Sequence, residues 1–94
     1  LLELNGFRVS YAYDGTHALA QAFEISPTSI LLDIGLPDIN GFTVARELRA
    51  RGYAGNLVAL TGYSSEEERA KAKEAGFNHH LVKPVGIAEL RRVL

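Results

Sequence analysis

Three short apolar runs in this chain each end in a residue that can do chemistry. Ile30-Leu31-Leu32 ends in Asp33, Leu57-Val58-Ala59-Leu60 in Thr61-Gly62, and Leu81-Val82 in Lys83-Pro84. An apolar run without alternation is the pattern of a strand buried on both faces. In open α/β sheets, functional sites gather beyond the carboxyl ends of such strands. The spacing therefore predicts an acid, a hydroxyl and an ammonium on one edge of one sheet. That trio suits carrying a phosphoryl group, with Asp33 as nucleophile, Lys83 as counter-charge and Thr61 as hydrogen-bond donor. Taken singly, each has a blander reading: a turn acid, a strand-end hydroxyl, a solvated lysine. Their conjunction favours the chemical one.

The residues around these three runs set the strands and helices that carry them. Leu1, Leu2 and Leu4 before Asn5-Gly6 read as the last turn of a helix with its cap. Arg8 to Tyr13 alternates, with Val9, Tyr11 and Tyr13 set against Ser10 and Ala12, and predicts a half-exposed strand near a sheet edge. Asp14-Gly15-Thr16 starts a helix with Ala18, Leu19, Ala22 and Phe23 on one face, ended by Ser26-Pro27. The Asp33 strand follows. Val44 and Leu48 mark a helix from about Gly41 to Ala50, with Gly52 as its stop. Asn56 to Thr61 is a strand. Ser64 with Glu67 and Ser65 with Glu68 are overlapping capping boxes for a charged, alanine-rich helix that ends at Gly76. Apolar burial holds such a helix weakly, which suits a movable element. His80 to Lys83 is the last strand, and Ile87 to Leu94 opens a final helix, cut short. Strands and helices alternate with short links, so the expected class is α/β with a parallel sheet and helices on both faces.

Composition narrows the function further. The chain has 94 residues, of which 47% are apolar and 22% charged, enough for one small domain with a core. Its net charge of -1 gives no electrostatic hint of nucleic acid or membrane partners. It has no cysteine, which excludes a disulfide framework and a thiolate metal site. No apolar run is long enough to cross a bilayer. His79 and His80 are adjacent on a strand and point to opposite faces, so they do not share a metal ion. His17 reads as a surface residue, Asp38 as a turn residue beside Pro37, and Arg91-Arg92 as a solvated helix face. Tyr11, Tyr13 and Tyr53 read as packing residues.

The strings Leu31-Leu32-Asp33-Ile34-Gly35-Leu36-Pro37-Asp38-Ile39-Asn40-Gly41, Ala59-Leu60-Thr61-Gly62 and Leu81-Val82-Lys83-Pro84-Val85, in this order and at helix-sized gaps, resemble the receiver domains of two-component response regulators. The resemblance spans nearly all of residues 1–94. It implies a flavodoxin-like doubly wound sheet of order 2-1-3-4-5, and a cytoplasmic signalling domain whose Asp33 accepts phosphate from a phosphohistidine on a sensor histidine kinase or phosphotransfer protein. By the same resemblance, Mg2+ is held by Asp33 and the backbone carbonyl of Gly35, with phosphate oxygens completing the set. Thr61, Gly62 and Lys83 meet the phosphoryl group, Lys83-Pro84 is a cis peptide, and Thr61 and His80 form the switch. Tyr63, two residues past Thr61, shields the acyl phosphate from water. A homodimer through the last helices is the assembly it suggests, with no direct contact to nucleic acid.

The sequence departs from the family pattern in two places. The family opens with a strand ending in an acidic pair that completes the metal site. That strand and most of the first helix are not found in these residues, so the chain reads as an excised or truncated domain with a gap between the Arg8 and Ile30 strands. Such a gap leaves two unpaired sheet edges, which predicts either instability or a neighbour that covers them. His80 stands where the family commonly has Tyr or Phe, and His79 to Val85 is similar to receivers fused to hybrid sensor kinases. Two functions follow. One is a phosphoacceptor switch, which is not itself a turnover enzyme although its parent chain could be a hybrid kinase. The other is a degenerate receiver acting only as a binding or dimerisation module.

Overall fold

In a computed structural model of the chain, the described residues are 2–4, 7–12, 14–24, 26–34, 40–62 and 65–93. Their order is β1 (Leu2–Leu4), β2 (Phe7–Ala12), α1 (Gly15–Glu24), β3 (Ser29–Asp33), α2 (Gly41–Ala50), β4 (Asn56–Thr61), α3 (Glu66–Ala75), β5 (His79–Val82) and α4 (Ile87–Val93). The described strands form one sheet in the order β1-β2-β3-β4-β5. β2 to β5 run parallel, and β1 pairs antiparallel with β2.

Central strands are the most apolar, as their two-sided burial requires. Every residue of β3 is buried, and so is β4 from Leu57 onward. One face of the sheet carries α1, α2 and α3 over Ala12, Ile30, Leu32, Leu57 and Ala59. The other carries the short helix α4, whose Val93 and Leu90 pack on Val9, Leu31, Val58, Leu60 and Leu81. Asn56 donates from Nδ2 to the Val93 carbonyl at 2.8 Å, fixing the end of α4 to the start of β4.

Local chemistry sets the helix ends. Asp14 Oδ1 accepts from the His17 amide at 2.6 Å at the start of α1. Asn40 caps α2 through the Thr43 amide at 3.2 Å. Gly41 lets α2 begin against the end of β3, because a Cβ there would overlap the Ile34 side chain. Ser65 caps α3 through the Glu68 amide at 3.1 Å, and Gly76 ends it in the left-handed region at φ 111°.

Three expectations change. Leu2–Leu4 is a strand, not the end of a helix. Its register places Leu4 opposite Phe7, and Asn-Gly between two apolar segments is a hairpin signal that outweighs its capping role; Asn5 and Gly6 themselves lie outside the described residues. β2 is covered more fully than a half-exposed strand: Ser10 and Ala12 are fully buried on one face, and on the other Val9 is buried while Tyr11 is half exposed. Ser10 is accommodated there by donating from Oγ to Gln21 Oε1 on α1. The expected gap between the Arg8 and Ile30 strands is also closed. Val9 pairs with Ser29 and Ala12 with Leu32 in direct parallel register, which satisfies backbone groups that a gap would leave bare.

α3 is held by a contact that its composition does not announce. It buries only alanines, Ala72 and Ala75. Its carboxyl end is anchored by Arg49 of α2, which donates to the Gly76 carbonyl from Nε at 3.0 Å and Nη2 at 2.9 Å. The same guanidinium reaches the Tyr53 and Gly55 carbonyls from Nη1, each at 2.8 Å, and Asn78 Oδ1 from Nη2 at 2.8 Å. Burial lowers the Arg49 pKa, with Tyr53 opposing. Tyr53 packs in the core and donates to the Pro27 carbonyl at 2.9 Å. Burial pushes its phenol up to about 12, against the opposing charge of Arg49.

Two predictions follow from this corner. Arg49→Met removes charged donors from partly buried carbonyls, and should cost about 2–3 kcal/mol in urea unfolding; an unchanged midpoint would reject the anchor. Tyr53 has a folded pKa above its ordinary 10.0, so its neutral form is the one the fold favours. Its contribution is complete below pH 10 and is lost as pH rises to about 12. Stability should therefore fall across that window, and fall less steeply in Tyr53→Phe.

Candidate functional site

Asp33, Thr61 and Lys83 meet at the carboxyl edge of the sheet, where the apolar runs end. Register brings them there. Asp33 on β3 lies beside Leu60 on β4, and Thr61 lies beside Val82 on β5. The Lys83 amide donates to the Thr61 carbonyl at 2.7 Å, and the Ile34 amide to the Leu60 carbonyl at 2.9 Å, so strand pairing continues into the site. Asp33 is only 3% exposed and Thr61 is buried. Lys83 Nζ donates to Asp33 Oδ2 at 2.8 Å. An ionised carboxylate at this depth needs a partner, and the lysine arrives from 50 residues away to be one. The hydrogen bond to Asp33 is the main cause that raises the Lys83 pKa, with the charge of Asp33 adding to it and desolvation opposing. The Lys83-Pro84 peptide is cis.

A fourth residue joins them. The Tyr11 hydroxyl on β2 donates to Asp33 Oδ2 at 3.2 Å. Burial raises its pKa most, followed by the charge of Asp33 and their hydrogen bond, while Lys83 pulls it down. Tyr11 is thus more than the packing residue its place on an alternating strand predicts. Finding its role needs the neighbour relation of β2 and β3, which alternation within one strand does not carry.

The other candidates fall in different places. Gly62 is exposed, just past Thr61. Gly35, Pro37, Asp38, Tyr13 and Tyr63 lie outside the described residues, so the expected Gly35 carbonyl ligand and Tyr63 shield have no structural account here. His80 is half-buried on β5, away from the Asp33 edge, and with His79, Arg69 and Lys73 borders an open groove of about 380 Å3 between α3 and β5. Burial lowers the His80 pKa, Arg69 adds to this and Glu68 opposes it. His17 is less solvated than a plain surface residue: its Nε2 lies against Gln21 Nε2 one turn on. Arg91 and Arg92 are exposed.

The sequence profile of the family described as "Response regulator receiver domain" matches residues 1–94. The chain belongs to the response regulator receiver family. It is 43% identical over 89 residues to the transcriptional regulatory protein PrrA of Mycobacterium leprae, covering 95% of this chain and 38% of that protein. It is 35% identical to the response regulator MprA of Mycobacterium ulcerans over the same 95% of the chain and 38% of that protein. The chain thus spans about two fifths of the length of these relatives. Among solved structures, the receiver domain of the sensor histidine kinase PA1611 from Pseudomonas aeruginosa PAO1, with a magnesium ion coordinated in its active site cleft, is 34% identical at a TM-score of 0.75, covering 94% of this chain and 74% of that one. The Vibrio cholerae chemotaxis protein CheY4 superposes at a TM-score of 0.80 with 23% identity, over 94% of this chain and 99% of that one, and so supports the flavodoxin-like fold alone.

The metal that the family implies can be tested against these residues. Among the described residues no group of three or more His, Cys, Asp or Glu side chains could hold a metal ion. Asp33 is the carboxylate at the centre of the edge, and its Oδ2 already accepts from an ammonium and a phenol. Magnesium requires near-octahedral oxygen coordination, and the described residues do not by themselves make that cage. A magnesium titration of the 94-residue chain, followed by backbone amide shifts, should therefore show no saturable binding in the low-millimolar range. Saturation at low-millimolar magnesium or below would contradict this.

Proposed function

We propose that this domain is a phosphoacceptor switch in which Asp33 takes a phosphoryl group from a phosphohistidine on a sensor kinase or phosphotransfer protein. The observation that carries the reading is the 2.8 Å contact between Lys83 Nζ and Asp33 Oδ2 at the end of two-sided buried strands. It joins a recessed nucleophile to a positive charge in direct contact with it, which electrostatic stabilisation of a transferring phosphoryl group requires.

In the step itself, a carboxylate oxygen of Asp33 attacks phosphorus and a new O–P bond forms. The bond from phosphorus to the donor breaks, and the donor leaves with that electron pair: an imidazole nitrogen from phosphohistidine, or acetate from acetyl phosphate. The charge on Asp33 passes to the phosphoryl oxygens, and the Lys83 ammonium follows it there. Thr61, at the end of β4, supplies the hydroxyl that bonds the new group. Because the amide of Lys83 bonds the carbonyl of Thr61, displacement at either residue is felt by the other and by β5. From β5 the change passes to α3, and the face around His80, Arg69 and Lys73 is the surface proposed to meet a partner. The magnesium seen in the Pseudomonas receiver would, where bound, neutralise the donor's phosphate oxygens. The relatives named as transcriptional and response regulators suggest that such a switch here controls an output domain; a hybrid kinase is the other home for it.

The test is incorporation of label from acetyl phosphate into the polypeptide that carries these residues. Asp33→Asn should abolish it, because an amide is not a nucleophile here. Lys83→Ala should slow it by at least tenfold. Thr61→Ala should keep most of the labelling but blunt the amide shift changes that accompany it. Full labelling of Asp33→Asn on the wild-type time course would overturn the assignment and favour the reading as a binding module.

A further inference from the structure

The open groove of about 380 Å3 between α3 and β5 is lined by charge of one sign. Arg69 and Lys73 border it from α3, one helical turn apart, and His79 and His80 border it from β5. Among the described residues, no aspartate or glutamate lines it. The whole chain has a net charge of -1, so this concentration of cations is local. The acids of α3 stand elsewhere. Glu67 pairs with Lys71 at 3.6 Å. Glu68 acts on His80 from outside the lining, where it offsets part of the charge of Arg69.

The sheet edge gives the groove its shape. β5 is the last strand of the sheet, with β4 on one side. His80 lies beside Ala59, on the face that α3 helps to cover, and His79 lies beside Val58, on the face of α4. Both histidines border the groove, so it wraps the edge of β5 and is not confined to one face. An edge strand presents main-chain donors and acceptors along its outer side, and an extended peptide can pair with them. The floor is apolar: Ala72 and Phe77 are both buried. Val82, two residues beyond His80 on the same face, leaves 36% of its surface exposed. Cations, a strand edge and apolar contacts together fit an extended segment in which acidic and apolar side chains alternate. A nucleic acid fits less well, because the phenyl ring of Phe77 is buried and offers no face on which a base could stack.

We propose that the groove between α3 and β5 docks an extended acidic segment of a partner protein, which pairs with the edge of β5 and lays its carboxylates against Arg69 and Lys73. The proposal deepens the reading of this face as the partner surface of the switch, and rests on that reading. Arg69 and Lys73 are exposed, so salt screens the contact, and its main effect is to select the partner and speed the encounter.

Fluorescence polarisation tests this, with a short fluorescein-labelled peptide that alternates glutamate and valine, at low ionic strength, on the unphosphorylated polypeptide that carries these residues. The peptide should bind, and its lysine-for-glutamate counterpart should not. Arg69→Glu with Lys73→Glu should weaken binding at least about tenfold, at equal far-ultraviolet circular dichroism, while Arg91→Glu with Arg92→Glu should leave it within about twofold. In wild type, amide shift changes on titration should centre on Arg69, Lys73 and His79 to Val82. Absence of binding, equal loss in the two double variants, or shift changes centred elsewhere would overturn the site. Tighter binding of a thymidine oligonucleotide at the same residues would overturn the acidic peptide in favour of nucleic acid. Self-association in place of peptide binding, relieved by Arg69→Glu with Lys73→Glu, would overturn it in favour of a second copy of this chain. Binding is measured without phosphorylation, so its failure is distinct from a failure of labelling at Asp33, which bears on the phosphoacceptor reading alone.

Discussion

A carboxylate buried at the end of a central strand is costly unless other groups come to it, and most of this fold can be traced to that requirement. Asp33 ends β3, every residue of which is buried. Its charge is compensated by Lys83, 50 residues away in sequence. For the lysine to arrive, β5 must pair with β4 and β4 with β3, in parallel and in one register. Each of those pairings in turn needs helices on both faces to cover it. The ion pair is therefore a readout of the whole sheet, and a slip of one residue anywhere between β3 and β5 would separate its members.

The two faces of the sheet are supported unequally, and this bears on how the site can respond. Among the described residues, three helices cover one face and a single short one covers the other. On the heavily covered side, α3 packs by alanines and is secured at its carboxyl end by the Arg49 guanidinium. Its amino end has a local cap at Ser65 and lies nearer in sequence to Thr61. An element fastened firmly at one end and lightly along its length can tilt about the fastened end. That arrangement suits the proposed switch, in which α3 would follow a change at Thr61 while remaining attached to the core.

Much of this was legible in the sequence. The runs ending at Asp33, Thr61 and Lys83 fixed the direction of three strands and the edge where they meet, because two-sided burial leaves an unbroken apolar pattern. The boundaries of β4 and α2 followed from polar and glycine punctuation at Asn56 and Gly52. The errors have a common cause. Leu2–Leu4 read as a helix end, and Tyr11 as packing, because both depend on which strand lies beside which. Alternation along β2 suggested a half-exposed strand, but Val9 is buried on one face and Ser10, bonded to Gln21, on the other. Arg49 left no periodic signal at all. Its role depends on carbonyls that converge only after α2, β4 and α3 have packed.

The pairing of β2 directly with β3 has the widest consequence for the site. It supplies backbone partners to a strand that the sequence expected to be bare on one edge, and it brings the Tyr11 hydroxyl within bonding distance of Asp33. The same carboxylate oxygen then serves two donors. A cation approaching that oxygen must compete with an ammonium and a phenol, and the ammonium also repels it. The proposed phosphorylation would change this balance. Once the charge of Asp33 has moved outward to phosphoryl oxygens, the donors that clamped the carboxylate have a weaker acceptor in front of them and a stronger one beyond it. Lys83 has the length to follow the charge, being exposed along its side chain, whereas Tyr11 is fixed to its strand. Under the proposed phosphorylation the two donors would part: the lysine would follow the charge, and the tyrosine would stay with its strand.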